Sequence, residues 1–220
     1  MDVNVTLKDG SKKQYPKGTR IIDVVSELSQ RLAKEAVAAK LNGKLVDLCT
    51  PIEEDSELQV VTFDMPEAQA VYRHSTSHIM AQAVQRLYPD VKFGIGPSIQ
   101  DGFYYDFDLE ETFGPEELQA IEKEMEKIIK EDHEFRRREL SREEAIKYFT
   151  EHNQPYKVEL IRDLPEDAVI SIYDQGEFVD LCAGPHVPST GKIKAIKLLS
   201  SAGAYWRGNE HNPMLQRIYG

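Results

Sequence analysis

Residues 36–48 read Ala-Val-Ala-Ala-Lys-Leu-Asn-Gly-Lys-Leu-Val-Asp-Leu, and this stretch decides the fold of the first part of the chain. Two runs rich in apolar residues flank the dipeptide Asn42-Gly43, which favours the tight two-residue turn of a β-hairpin. The pattern therefore predicts two antiparallel strands, Ala36–Leu41 and residues 44–48, joined by that turn.

The residues before and after this hairpin complete a small domain. Val3, Val5 and Leu7 alternate with polar residues ahead of Asp9-Gly10, which predicts a second hairpin at the start of the chain. Between the hairpins the apolar spacing becomes helical, and one stripe is formed by Ile21, Val24, Val25, Leu28 and Leu32. Residues 58–63 supply a further strand. This ββαββ order over residues 1–63 predicts a β-grasp domain.

A second, larger domain is expected over residues 64–220, because the acidic, proline-containing residues 64–67 have the composition of a linker. Three helices are predicted in it: from Pro66 to Tyr88, from Gly114-Pro115 onward, and after the capping box of Ser141 and Glu144. Strand-like runs lie at residues 157–161, 168–173, 177–181, 193–199 and 204–207. The fold class predicted for the chain is α+β.

Composition excludes several classes of protein. The 220 residues carry 27 Lys plus Arg against 38 Asp plus Glu, a formal net charge of −11, which argues against a general nucleic-acid binder. No apolar run is long enough for a membrane helix, and the first residues lack the order of a signal peptide. Two cysteines are too few for a disulfide framework. We therefore expect a soluble, cytoplasmic protein with no membrane partner.

Two pairs of side chains are the main candidates for a functional site. His74 and His78 are four residues apart, so a helix presents both imidazoles on one face. Cys182 and His186 follow a predicted strand, and Gly184-Pro185 between them favours a loop. Each pair alone is more often incidental than functional. Together they offer four nitrogen and sulfur donors, which is a plausible zinc set.

Longer motifs connect these pairs to a known family. They are Arg73-His-Ser-Thr-Ser-His78, Gly94-Ile-Gly-Pro-Ser98, Asp101-Gly-Phe-Tyr-Tyr-Asp106, Tyr156-Lys-Val158, Asp180-Leu-Cys-Ala-Gly-Pro-His186, Gly203-Ala-Tyr-Trp-Arg-Gly208 and Met214-Leu-Gln-Arg-Ile-Tyr-Gly220. With them the whole chain resembles the N-terminal half of bacterial threonyl-tRNA synthetase. The first domain resembles the TGS domain of that family, and residues after about 65 resemble its editing domain, the second additional domain.

The resemblance implies an editing hydrolase that deacylates mischarged seryl-tRNA(Thr) by water attack and rejects threonine sterically. It implies His74 and Lys157 as catalytic residues. The residues expected to bind substrate are His78, Gly96, Pro97, Tyr105, Asp180, Cys182 and His186. Gly94, Gly96 and Pro97 would form a rigid backbone wall, although the same residues are equally consistent with a plain turn.

Other chemistries stay open at this point. No cofactor is expected in this part of the family's chain, because its ATP, magnesium and zinc belong to an aminoacylation core expected beyond residue 220. If zinc were bound, the ligands would be His74, His78, Cys182 and His186. A Cys182 thiolate nucleophile is a third option. A non-catalytic tRNA-docking or zinc-binding module is the alternative function.

The expected partners are the acceptor end of tRNA(Thr) carrying serine and the family's catalytic and anticodon-binding domains, in a homodimer at full length. Basic side chains that are candidates for phosphate contacts are Lys192, Lys194, Lys197, Arg207 and the run Arg136-Arg137-Arg138. Tyr104 or Tyr105 is a candidate for stacking on the terminal adenine.

Overall fold

The computed structural model describes residues 1–220, which form two compact units. The first unit comprises residues 1–72 and 184–188, and the second comprises residues 73–183 and 189–220. The units divide within a helix, between Tyr72 and Arg73, whereas the domain border predicted at residues 63 and 64 precedes that helix. That predicted border stays a prediction. No helix of either unit is both long and apolar enough to span a bilayer.

The first unit contains seven strands and two short helices ahead of the long helix. They are β1 (Asp2–Leu7), β2 (Lys12–Pro16), β3 (Thr19–Arg20), α1 (Ile21–Leu28), α2 (Gln30–Glu35), β4 (Ala36–Leu41), β5 (Lys44–Val46), β6 (Pro51–Ile52) and β7 (Ser56–Thr62). Five strands form one sheet in the order β2-β1-β7-β4-β5, in which β1 and β7 are parallel neighbours. This is the mixed sheet of a β-grasp fold, and the fold predicted for this part of the chain is confirmed.

Helix α1 packs its apolar stripe on this sheet. Ile21, Val24 and Val25 are fully buried and share a core with Val5 and Ile52. The predicted helix does not continue unbroken to residue 32, because Ser29 adopts an extended conformation. The Ser29 side chain then accepts a hydrogen bond from the Leu32 N–H and caps α2. Both predicted hairpins are present.

The second unit begins inside the long helix α3 (Pro66–Leu87). The elements that follow are β8 (Lys92–Phe93), β9 (Ser98–Ile99), β10 (Gly102–Asp108), α4 (Pro115–Glu131), β11 (Arg136–Leu140), α5 (Arg142–Glu151), α6 (Pro155–Asp163), β12 (Ile170–Gln175), β13 (Phe178–Leu181), a 3-10 turn (Thr190–Lys192), β14 (Ser200–Tyr205), a second 3-10 turn (Trp206–Gly208) and β15 (Met214–Tyr219). Its main sheets have the orders β14-β15-β10-β8 and β11-β12-β13. The α+β class is confirmed for both units.

The three helices predicted for this unit are present, and Ser141 and Glu144 form the predicted capping box. Two strand predictions were wrong. Residues 157–161 lie in helix α6, because Pro155 occupies its first turn and Val158 and Ile161, three apart, are buried against α5 and β12. Residues 193–199 form no strand at all.

The strand predicted at residues 204–207 was misplaced, since β14 ends at Tyr205 and a 3-10 turn follows. Strands β10, β11 and β15 were not predicted. Their sequences mix aromatic or charged residues on both faces, and the hydrogen bonds that define β10 and β15 join residues more than a hundred positions apart.

Candidate active site

Helix α3 places His74 and His78 on one face, as their spacing predicted. Their ring centroids are 5.0 Å apart and the rings meet edge to face. His78 is buried, whereas His74 is half-buried. The residues between them, Ser75, Thr76 and Ser77, are also buried. Most of this turn of the helix is therefore buried, and His74 is its more exposed imidazole.

Cys182 reaches the same place from the loop after β13. Its backbone N–H donates to the Ser171 carbonyl at 3.1 Å, and the Ser171 hydroxyl donates to the Cys182 carbonyl at 2.6 Å. These two bonds fix the loop against β12. The Cys182 Sγ lies 3.4 Å from His74 Nε2, and the ligand atoms of Cys182, His74 and His78 all lie within 4.8 Å of one another. Three donors of the candidate zinc set are thus close together in the second unit.

Lys157, Asp180 and Tyr105 form a buried network beside this group. The Lys157 ammonium lies 2.7 Å from Asp180 Oδ1 and donates to the Tyr105 hydroxyl at 3.0 Å. The Tyr105 hydroxyl in turn donates to Asp180 Oδ2 at 2.6 Å. His78 Nε2 is 3.7 Å from the same Asp180 oxygen. Lys157 lies in helix α6 and not in the strand predicted at residues 157–161, and the helix directs its side chain inward with 3% of it exposed.

Burial sets the protonation states in this network. Desolvation, with smaller effects from the charges of His74 and Lys157, lowers the pKa of His78 to about 3, although Asp180 acts in the opposite direction. Desolvation also raises the pKa of Tyr105 well above its usual value, and the nearby Asp180 charge adds to this. For Asp180, burial raises the pKa, but the Lys157 charge and the hydrogen bonds outweigh it and leave the pKa lowered. At neutral pH the site therefore holds a neutral imidazole at His78, a neutral phenol and a carboxylate.

The predicted wall residues lie in a loop between β8 and β9. Gly96 packs directly on Tyr105, since a Cβ at this position would lie 2.0 Å from the ring atom Cδ2. Only glycine, which has no Cβ, therefore fits at position 96 beside the Tyr105 ring. Pro97 is half-buried and its carbonyl accepts a hydrogen bond from the Tyr104 N–H at 3.3 Å. A Cβ at Gly94 would lie 2.9 Å from the Cβ of Asp106, so this end of the loop is equally tight.

His186 belongs to the segment 184–188 of the first unit. It is buried, and its backbone N–H donates to Asp47 Oδ1 at 2.8 Å. The other predicted site residues all lie in the second unit. Sequence reasoning missed Ser77, whose hydroxyl lies 2.7 Å from the carbonyl oxygens of both His74 and Gly96. The only feature of the sequence that points to Ser77 is its position directly before His78.

The candidate phosphate contacts are mostly engaged in ion pairs. Arg207 pairs with Glu159 and Asp163, and Lys197 pairs with Glu122. The three consecutive arginines of β11 pair with Glu134, Glu139 and Asp174.

The two candidate stacking tyrosines differ in what surrounds them. Tyr105 is fully buried and is not available to stack on a base. Tyr104 is half-buried, and the Arg217 guanidinium lies 3.8 Å from its ring centroid. One ring face of Tyr104 is therefore occupied by a protein cation.

Comparisons with known proteins identify a domain family in each of the two units. Residues 3–62 match the TGS domain family, and residues 170–219 match the threonyl and alanyl tRNA synthetase second additional domain. The chain is 61% identical over 218 residues to a threonine–tRNA ligase of Desulforamulus reducens and 62% identical over 218 residues to one of Clostridium tetani. In both cases the match covers 99% of this chain and 34% of the relative, so the chain spans about a third of the length of these enzymes. It carries a TGS domain followed by a second additional domain of the editing type, and it corresponds to the N-terminal part of threonine–tRNA ligases.

Proposed function

We propose that the second unit is an editing hydrolase that removes serine from mischarged seryl-tRNA(Thr). The observation that carries this proposal is the buried network of Lys157, Asp180 and Tyr105 next to His74 and His78. A structural zinc site would need the histidines and the cysteine but would have no use for a buried ion pair beside them. A site that binds a charged ester and transfers protons can use both the ion pair and the imidazoles.

Lys157 is the group proposed to stabilise negative charge during the reaction. An ammonium has three N–H donors, and those of Lys157 hold Asp180 and the Tyr105 hydroxyl. One donor is left for the oxygen of the tetrahedral intermediate. Asp180 holds the ammonium in place through their ion pair, and as the anionic group of the site it is also suited to the α-ammonium of serine.

His74 is proposed to orient the attacking water and accept its proton. It is the more exposed imidazole of the pair, while the buried and neutral His78 packs against it edge to face. Water attacks the ester carbonyl carbon, the bond from that carbon to the ribose oxygen breaks, and the proton passes from His74 to that oxygen. The products are serine and uncharged tRNA(Thr). Cys182, 3.4 Å from His74 Nε2, fixes the ring rather than acting as a nucleophile.

Selection between serine and threonine is proposed to be steric. The two esters differ by one methyl group, which a single binding pocket separates by only about 1–3 kcal/mol. A second site that admits serine and excludes the extra methyl is therefore useful, and its walls must be rigid. The loop with Gly96 and Pro97, packed on the Tyr105 ring, is the proposed wall. The proposed substrate partner is the acceptor end of tRNA(Thr), in the cytoplasm, together with the remaining domains of a dimeric ligase.

A zinc-dependent variant of this function is supported by one observation, the clustering of the donor atoms of His74, His78 and Cys182 within 4.8 Å. Such a donor set fits zinc, which would lower the pKa of a bound water and supply hydroxide. We favour the metal-free pocket because His74 and the charged side chain of Lys157 can already orient the water and stabilise the developing negative charge, so the proposed reaction does not need a metal.

A deacylation assay tests the proposal. The wild-type chain should hydrolyse seryl-tRNA(Thr) at least about tenfold faster than threonyl-tRNA(Thr), with or without a chelator. The variant His74→Ala should lose about 10²-fold or more in rate, as removal of a general base usually does. His152→Ala is the matched control, since this exposed histidine lies at the end of α5 and bonds only within its own turn. Equal hydrolysis of both esters, or full activity of His74→Ala, would reject the proposal.

A further inference from the structure

The segment of residues 94–100, which includes the short strand β9 and is named here the pocket loop, is bound on one side to strand β10. The Gly94 N–H donates to the Asp106 carbonyl at 2.8 Å, and the Asp106 N–H donates to the Ile95 carbonyl at 3.0 Å. The Pro97 carbonyl accepts from the Tyr104 N–H. These backbone bonds attach the loop to the strand that carries Tyr105, and they do not depend on any side chain.

Helix α3 holds the same loop through two side chains. The Ser77 hydroxyl lies 2.7 Å from the Gly96 carbonyl oxygen, and Arg73 Nη1 donates to the Gln100 carbonyl at 2.5 Å. Arg73 and Ser77 are four residues apart, and each directly precedes one of the two histidines. The helix therefore carries two adjacent stripes, one of imidazoles and one of residues that bind the pocket loop.

Ser77 makes the only hydrogen bond that the Gly96 carbonyl oxygen receives. The serine is fully buried and its single hydroxyl proton is shared between Gly96 and the His74 carbonyl, both at 2.7 Å. The Tyr105 ring leaves no room beside the Gly96 Cα. Gly96 lies between Ile95 and Pro97, whose carbonyls are bound to β10, and its own position is further defined by one ring contact and one side-chain hydrogen bond.

We propose that Ser77, supported by Arg73, is a positioning residue for selectivity: it fixes the distance between the pocket loop and the imidazoles and so sets the room for the amino-acid side chain. This inference rests on the proposed editing function and identifies a residue on which its selectivity depends. A wall that separates two esters by one methyl group must not move, because a small displacement creates the space that the methyl group needs.

The test compares Ser77→Ala with the wild-type chain, using seryl- and threonyl-tRNA(Thr) as substrates. The ratio of kcat/KM for the seryl ester to that for the threonyl ester should fall about three- to tenfold, the effect of one neutral hydrogen bond. Seryl turnover should stay within about threefold of wild type, since no group proposed to touch the ester is removed. Arg73→Gln, a change at a half-buried side chain that does not endanger folding, should lower the ratio in the same direction.

Ser201→Ala is the matched control. It also deletes a hydroxyl that donates to a backbone carbonyl, but this hydroxyl lies on β14 and donates to Phe113 at 2.6 Å instead of to the pocket loop. This variant should keep the wild-type ratio. A parallel loss of both rates in Ser77→Ala, or an unchanged ratio, would overturn the inference, because a merely structural serine would not change selectivity.

Amide hydrogen exchange separates this inference from the proposed function. The Tyr104 amide, which donates to the carbonyl of Pro97 directly after Gly96, should exchange faster in Ser77→Ala than in the wild type or in Ser201→Ala. Unchanged exchange would show that Ser77 does not hold the pocket loop and would overturn the inference even if the wild-type chain edits. If the wild-type chain hydrolyses neither ester, the proposed function fails, and the selectivity role fails with it whatever the exchange rates show.

Discussion

Lys157 and Asp180 form a buried ion pair, and 3% of each side chain is exposed. Loss of one partner from a buried pair leaves an uncompensated charge, which costs about 3–5 kcal/mol. Lys157→Met should therefore lower the free energy of unfolding by about that amount and reduce seryl-tRNA hydrolysis by about 10²-fold or more. Urea denaturation and the deacylation assay measure the two effects separately.

A double variant separates charge burial from catalysis. Lys157→Met combined with Asp180→Leu leaves no buried charge behind and should recover much of the stability. Hydrolysis should remain lost, because the proposed oxyanion donor is absent. Lys147→Met is the control at an exposed lysine, with 75% of its side chain accessible, and should change neither property. Recovery of activity in the double variant would remove Lys157 from the mechanism.

The buried imidazole of His78 makes stability depend on pH. Its pKa is about 3 in the folded chain against 6.5 for an ordinary histidine, so the unfolded chain binds the proton more readily between these values. The free energy of unfolding should therefore be at its full value above pH 6.5 and fall as the pH drops from 6.5 towards 3. Urea denaturation of the wild type and of His78→Asn between pH 7 and pH 4.5 measures this. Equal pH slopes for the two proteins would contradict the prediction.

The arrangement of the site residues was predictable from the sequence to different degrees. The convergence of His74 and His78 follows from helical spacing alone. The inward direction of Lys157 does not, because alternating apolar residues around it imitate a strand, and only the family resemblance indicated a role. The bond from Tyr105 to Asp180 joins residues 75 positions apart, and no local pattern encodes it.

Helix α6 carries Lys157, and the side chain of Trp206, which lies outside the helix, packs against it. Trp206 is buried, packs on Tyr156 with 4.8 Å between ring centroids, and directs its Nε1–H towards the Glu159 carboxylate at 3.2 Å. The helix has nine residues and no side-chain hydrogen bond at its N-cap, so it depends on such packing.

Trp206→Ala should destabilise the second unit by about 3–5 kcal/mol and reduce hydrolysis, because α6 loses its outer support. Trp206→Phe keeps most of the apolar contact and should cost no more than about 2 kcal/mol, mainly the lost indole hydrogen bond. Urea denaturation followed by circular dichroism measures both. Equal losses for the two substitutions would show that the indole N–H, and not ring packing, supports the helix.

The elements that were predicted correctly are those with local signals. Asn42-Gly43 determines its hairpin, and Ser141 with Glu144 determines the start of α5. Strand β10 was missed because its partner β15 lies at the far end of the chain, and its aromatic residues face both sides of the sheet. Pairings of that kind are set by tertiary packing, which a local pattern does not contain.

At the scale of the whole chain, the metal content distinguishes the two versions of the proposed chemistry. We expect elemental analysis of the purified protein to find no stoichiometric zinc, and a chelator to leave seryl-tRNA hydrolysis unchanged. About one zinc per chain, lost together with activity on chelation and restored on refilling, would instead assign His74, His78 and Cys182 as ligands. A Zn²⁺ titration of an exposed-residue variant such as His152→Ala serves as the control for surface binding.

The route of the chain has a consequence for its synthesis on the ribosome. The first unit includes residues 1–72, yet its segment 184–188, with the His186 N–H that donates to Asp47 Oδ1, is translated 112 to 116 residues after Tyr72. At about 5–20 residues per second this delay is roughly 6–23 s. The β-grasp sheet is complete in sequence by Thr62 and can form early, but the Asp47 carboxylate must wait for this partner. A nascent chain therefore passes through a stage in which the β-grasp sheet can be folded while segment 184–188 is not yet available to it.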